Sequence, residues 1–206
     1  MLTVVAVALA SVLASALVRS TVSEPYRIPS GSMEPLLQPG DRISVDRTAY
    51  DTTQVRRGDV VVVDGAGSFV PYESRSALAR SVDGALMWLG LAPDTTAVVK
   101  RVAGRGGDTV SCCTAGGSLS VNGEAVPEDY LAEPPASAVP FTATVPAGRL
   151  FLLGDNRHHS LDSRALLGAP GGGMIAESAV IGRVTGIAWP LDRRTSWEQV
   201  EVSAER

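Results

Sequence analysis

A chain of 206 residues suffices for one domain with a substantial core, or at most two small ones. Its formal net charge of −4 argues against the basic face of a nucleic-acid binder, so no nucleic-acid partner is expected. Hydrophobic residues at 45%, with 21 Gly and 13 Pro, describe a turn-rich β protein rather than a helical bundle.

In chain order, Met1 to Val18 contains no charged residue. About 18 apolar residues is the lower limit for crossing a bilayer. Ala14-Ser15-Ala16 resembles a small-residue cleavage site, as in a secretory signal. A secretory signal normally opens on Lys or Arg, and none precedes this run, so residues 1–19 are read as an uncleaved transmembrane anchor. Arg19 alone does not set its orientation. Residues 20–25 form a linker, and residues 26–194 the main domain.

Ile28-Pro29-Ser30-Gly31-Ser32-Met33-Glu34-Pro35 follows the linker, a short rigid segment holding two serines. Ser-Gly-Ser is also ordinary turn composition. Arg42 to Asp46 alternates polar and apolar as a half-buried strand does, and Val60 to Val63 is a β-branched run that reads as a buried strand. Residues 65–96 form an insert with helical propensity from Ser76 to Leu89. Further strands are expected at Ala97–Val102, Thr109–Cys113, Ser118–Gly123, Phe141–Val145, Leu150–Leu153 and Val180–Trp189. Asn122-Gly123 signals a hairpin, Pro190 ends the last strand, and residues 195–206 form a polar tail. Short strands at regular spacing imply a mainly β domain of antiparallel sheet or a partly open barrel.

The only two cysteines, Cys112 and Cys113, are adjacent, and so are the only two histidines, His158 and His159. Neither pair has metal-ligand spacing, and no metal or cofactor is expected. The cysteines are either a vicinal disulfide or two buried thiols.

Lys100 is the first chemical anomaly, because it interrupts Val98-Val99-Lys100-Arg101-Val102. Lys100 and Arg101 could straddle the two faces of a strand, one of them reaching to water. Alternatively Lys100 is buried beside a nucleophile. Burial disfavours the ammonium, and a neutral amine can take a serine proton. The second anomaly is Gly154-Asp155-Asn156-Arg157-His158-His159-Ser160-Leu161-Asp162-Ser163-Arg164, a polar loop directly after a hydrophobic strand. Asp162 and Arg164 are spaced to pair.

Taken together and in order, the Ile28–Pro35 segment, the Val99–Gly104 segment with Gly107-Asp108 close behind, and the Gly154–Arg164 segment resemble the boxes of type I signal peptidases. Pro39-Gly40-Asp41, Arg57-Gly58-Asp59, Val121-Asn122-Gly123 and Ile181-Gly182-Arg183 followed by Trp189-Pro190 agree with them. The resemblance covers about residues 1 to 194. The insert and the adjacent cysteines resemble the actinobacterial branch.

That resemblance implies a membrane-anchored serine endopeptidase with an extracytoplasmic domain. It would cut signal peptides from preproteins after Ala-X-Ala sites, with preprotein signal peptides and membrane lipid as partners. Ser32 would be the nucleophile and Lys100 the general base. The Ser30 hydroxyl and the Ser32 amide would form the oxyanion hole, and Ser160 would orient the Lys100 amine. Tyr26, Ile28, Pro29, Met33, Leu37, Val98 and Val99 would line shallow apolar pockets. Gly154, Asp155, Asn156, Arg157, Asp162 and Arg164 would hold the loop. Glu34 stands where the family commonly has an apolar or small polar residue, and should point away from the pockets. His158-His159 also departs from the family pattern and takes no catalytic role. A self-cleaving repressor shares the Ser/Lys chemistry but needs a DNA-binding helix pair where this chain has an apolar run. A non-enzymatic anchored binding protein would place no demand on Ser32 and Lys100.

Overall fold

The computed structural model describes residues 26–70 and 96–197. The expected anchor at 1–19, its linker and the helix at Ser76–Leu89 lie outside the described residues. Among the described residues there is no α-helix, and no helix long and apolar enough to cross a membrane. Gly65 N–H donates to the Thr96 carbonyl at 2.9 Å, so the insert leaves and rejoins the domain at one point.

Among the described residues, twelve strands make two sheets: β1 (Tyr26–Arg27), β2 (Arg42–Asp46), β3 (Val60–Asp64), β4 (Ala97–Arg105), β5 (Thr109–Cys112), β6 (Leu119–Val121), β7 (Glu124–Ala125), β8 (Phe141–Thr144), β9 (Arg149–Leu153), β10 (Ile175–Ala176), β11 (Val180–Trp189) and β12 (Thr195–Ser196). The larger sheet runs β1-β2-β11-β3-β4-β9-β10, with β12 added along β11. The smaller runs β7-β6-β5-β8. All pairings between these strands are antiparallel.

The valine run of β3 is explained by burial on both faces. Val60 and Val62 pack with Ile28, Met33, Leu37, Ile43 and Val45 on one side. Val61 and Val63 pack with Val102, Leu150 and Leu152 on the other. β9 is likewise two-sided: Phe151 and Leu153 turn to the cluster shared with the small sheet. The β6–β7 hairpin turns on Asn122 (φ 55°) and Gly123 (φ 88°), the positive-φ pair that an Asn-Gly turn needs. The sheet continues past residue 194, because β12 pairs with Gly186 and Ile187. Trp197 then packs on the core. Cys112 and Cys113 are joined in a vicinal disulfide. Cys112 is buried in the small sheet and Cys113 is exposed, so the pair is not two buried thiols.

Candidate active site

β4 lies inside the large sheet, between β3 and β9. Lys100 pairs with Val61, and Arg101 pairs with Leu153, the last residue of β9. The loop that begins at Gly154 therefore emerges beside Lys100. On the other side, Met33 and Leu37, 1% and 0% exposed, pin the serine segment into the core. Two such side chains contribute about 1.5–3 kcal/mol each through burial. A tight turn, Glu34 N–H to the Gly31 carbonyl at 3.1 Å, holds Ser32 at the surface of that anchor.

Lys100 is 3% exposed, and its Nζ donates to Ser32 Oγ at 2.9 Å and to the Val99 carbonyl at 3.2 Å. Burial pulls its pKa down from 10.5 to about 8, against the opposing pull of Asp162 and then Asp155. Ser30 is exposed, and its Oγ donates to Ser32 Oγ at 3.4 Å. The Ser32 oxygen thus lies between the amine and the second hydroxyl. Asn156 fastens the serine segment to the loop: its N–H donates to the Ser32 carbonyl and its Nδ2 to the Gly31 carbonyl, both at 3.1 Å.

Gly154 is a contact glycine. A Cβ on it would collide with the Ser32 carbonyl and with Ser160 Oγ, so no larger residue fits between them. The Ser160 hydroxyl is buried and has no hydrogen-bond partner. The expected bond to Lys100 is not made, because Nζ is turned to Ser32 Oγ and the Val99 carbonyl.

The loop charges are all paired. Asp162 accepts from Gly154 N–H at 3.1 Å and pairs with Arg164 at 2.8 Å. Asp155 is fully buried and takes a two-pronged bond from Arg101, at 2.7 and 2.6 Å. Arg101 also lies 4.0 Å over the Tyr130 ring and donates to the Gly58 carbonyl at 2.8 Å. Neither Lys100 nor Arg101 therefore extends freely into water, which corrects the simple picture of one inside and one outside. Arg157 pairs with Glu128 at 2.6 Å, the two side chains 1% and 2% exposed. Removing one partner of such a buried pair typically costs about 3–5 kcal/mol. The hold of Arg101 on the loop, and the parts played by Glu128, Tyr130 and the Ala136 carbonyl, which accepts from both Arg157 and Arg164, had no sequence signal. Their partners are up to 54 residues away in the chain.

Of the expected pocket residues, Tyr26, Ile28, Met33, Leu37 and Val99 share one apolar cluster. Val98 packs on the opposite cluster and Pro29 is exposed. Glu34 lies with its carboxylate against Gly31. His158 and His159 are exposed on a single 3-10 turn, Arg157–His159. A groove of about 1210 Å³ lies elsewhere, along β11 and β12, with Ser44, Arg183, Thr185 and Trp197 in its walls.

A family model described as "Signal peptidase, peptidase S26" matches residues 1–189. The chain belongs to this family. This signal peptidase is 38% identical over 204 residues to the "Probable signal peptidase I" of Mycobacterium leprae, covering 84% of this chain and 70% of that one. It is 39% identical over 197 residues to the "Signal peptidase I" of Mycobacterium tuberculosis (strain ATCC 25618 / H37Rv), covering 84% and 67%. To the "Signal peptidase I T" of Bacillus subtilis it is 31% identical over 191 residues, covering 88% and 82%. A solved signal peptidase I from Enterococcus faecalis is 25% identical with a TM-score of 0.43, over 65% of this chain and 98% of that one. Signal peptidase I is a serine endopeptidase acting on preproteins that carry signal peptides, and that is the activity of this chain.

Proposed function

We propose that this signal peptidase works by a Ser32 nucleophile and a Lys100 base. The observation that carries the proposal is the 2.9 Å contact between Ser32 Oγ and the buried Lys100 Nζ. In the neutral amine the direction of that bond reverses, and the Ser32 hydroxyl donates to the Nζ lone pair. Ser32 Oγ attacks the carbonyl carbon of the last signal-peptide residue while its proton passes to Nζ. The tetrahedral oxyanion is stabilised by the Ser32 amide and by the Ser30 hydroxyl, which swings from Ser32 Oγ to the new charge. The C–N bond breaks, and the leaving amine takes the proton from Nζ. Water then gives a proton to Nζ as its oxygen attacks the acyl carbon. The C–Oγ bond breaks while Nζ returns that proton to Ser32 Oγ, which releases the signal peptide with its new carboxylate and restores the serine.

Ser160 orients the amine when Nζ turns to it, which satisfies a hydroxyl that otherwise lacks a partner. The small substrate side chains of an Ala-X-Ala site would rest on the partly buried members of the apolar cluster, Tyr26 and Val99, over the buried Ile28, Met33 and Leu37. Residues 1–19 anchor the protein in the plasma membrane by one span, with residues 26–194 outside the cytoplasm. The nucleophile then lies near the bilayer face, where a signal peptide leaves its own apolar segment.

The test is cleavage of a panel of preproteins in detergent, with the cut sites mapped. Wild-type protein should cut after small residues at positions −1 and −3. Ser32→Ala and Lys100→Ala should each be inactive while folded. Full processing by purified Lys100→Ala would sink the dyad.

A further inference from the structure

Glu128 lies in the segment between β7 and β8, far in sequence from every catalytic box, yet its carboxylate is buried under the catalytic loop. One oxygen accepts from the Leu119 N–H of β6 at 2.8 Å. The other accepts from the Tyr130 hydroxyl at 3.3 Å and from Arg157 at 2.6 Å. Arg157 in turn donates Nε–H to the Gly154 carbonyl at 3.0 Å and NH1 to the Ala136 carbonyl at 3.3 Å. Gly154 is the residue packed so closely on the Ser32 carbonyl and Ser160 that a Cβ there would collide with both. A guanidinium is a rigid fork, so its place is set by the groups on its far side. Here the far side is Glu128, which is itself tied to the small sheet.

We infer that Glu128 is a positioning residue: through Arg157 it sets where Gly154 rests against Ser32 and Ser160. The small sheet thereby braces the reacting serine, although none of its strands touches the dyad's hydrogen bonds. The inference rests on the Ser32/Lys100 reading. It distinguishes Glu128 from the Asp155–Arg101 pair, which holds the other side of the loop to β4. Displacing a reacting group by a fraction of an ångström slows chemistry more than it weakens binding.

The experiment compares wild-type, Glu128→Gln, Glu128→Asp and Ser32→Ala full-length protein in detergent. Preprotein cleavage gives kcat and KM, a penem-type acylating probe gives the rate of adduct formation, and thermal melting gives the folded fraction. Glu128→Asp keeps the charge but shortens the arm, so it remains folded if Glu128→Gln does not. The expected result is a kcat and an acylation rate lowered roughly 10- to 100-fold in folded Glu128→Asp, with KM within about threefold of wild type. Wild-type kcat in folded Glu128→Asp overturns the inference. So does a loss of activity in either variant that is fully accounted for by its unfolded fraction. Activity in Ser32→Ala would instead overturn the dyad itself, so the two failures are distinguishable.

Discussion

The pH dependence of cleavage follows from the burial of Lys100. Only the neutral amine can accept the Ser32 proton. Burial lowers the pKa of Lys100 from 10.5 to about 8. At pH 7 about one molecule in ten then holds a neutral base, compared with about three in ten thousand for a lysine in water. Burial therefore raises the active population at pH 7 by roughly 300-fold. Below pH 8 the rate should fall about tenfold per pH unit, and it should level off near pH 9. The assay is kcat/KM for a preprotein between pH 5 and 10, with the protein's fold checked at each pH. A rate that stays flat down to pH 5 would contradict a Lys100 base, as would a limb that bends near pH 6.5, the ordinary range of an imidazole.

The same burial carries a stability cost. Between pH 8 and 10.5 the unfolded chain binds a proton at Lys100 that the folded chain has released, so stability rises with pH across that window. Below it the folded state bears the whole cost of the buried ammonium, roughly 3 kcal/mol. Lys100→Met should thus abolish cleavage and raise the melting midpoint at pH 7; a lowered midpoint would contradict this. Gly154→Ala should cut kcat at least a hundredfold, because the new methyl group meets the Ser32 carbonyl and Ser160 Oγ, and near-normal turnover would show that the loop yields. Ser30→Ala should lower kcat about 10²–10³-fold with KM little changed, as loss of an oxyanion donor does, and steady-state kinetics on the same preprotein decide it.

Much of the large sheet was legible because its signals are local. Val60 to Val63 and Val180 to Trp189 announce themselves as strands by β-branched content, and Pro190 marks the end of the second. The Asp162–Arg164 pair was legible too, since its partners are two residues apart. The two-residue strands β1, β7, β10 and β12 were not, because two residues cannot display an alternation. The brace around the loop was hidden for another reason. Arg101 meets Asp155 across 54 positions, and Arg157 meets Glu128 across 29. No spacing rule connects residues that only the sheet order brings together. Lys100 stood out because an amine within a valine run is locally anomalous, whereas Glu128 sits in a polar loop where a carboxylate is ordinary. Val98 and Val99 looked equivalent in sequence but face opposite clusters, and only Val99 lies with Met33 and Leu37.

The most direct measurement is to trap the acyl-enzyme with a penem-type probe and map the modified peptide by mass spectrometry. One adduct is expected, on Ser32, forming faster as pH rises from 6 to 9 and absent in Ser32→Ala and Lys100→Ala. An adduct on another residue, or undiminished labelling of Ser32→Ala, would contradict it.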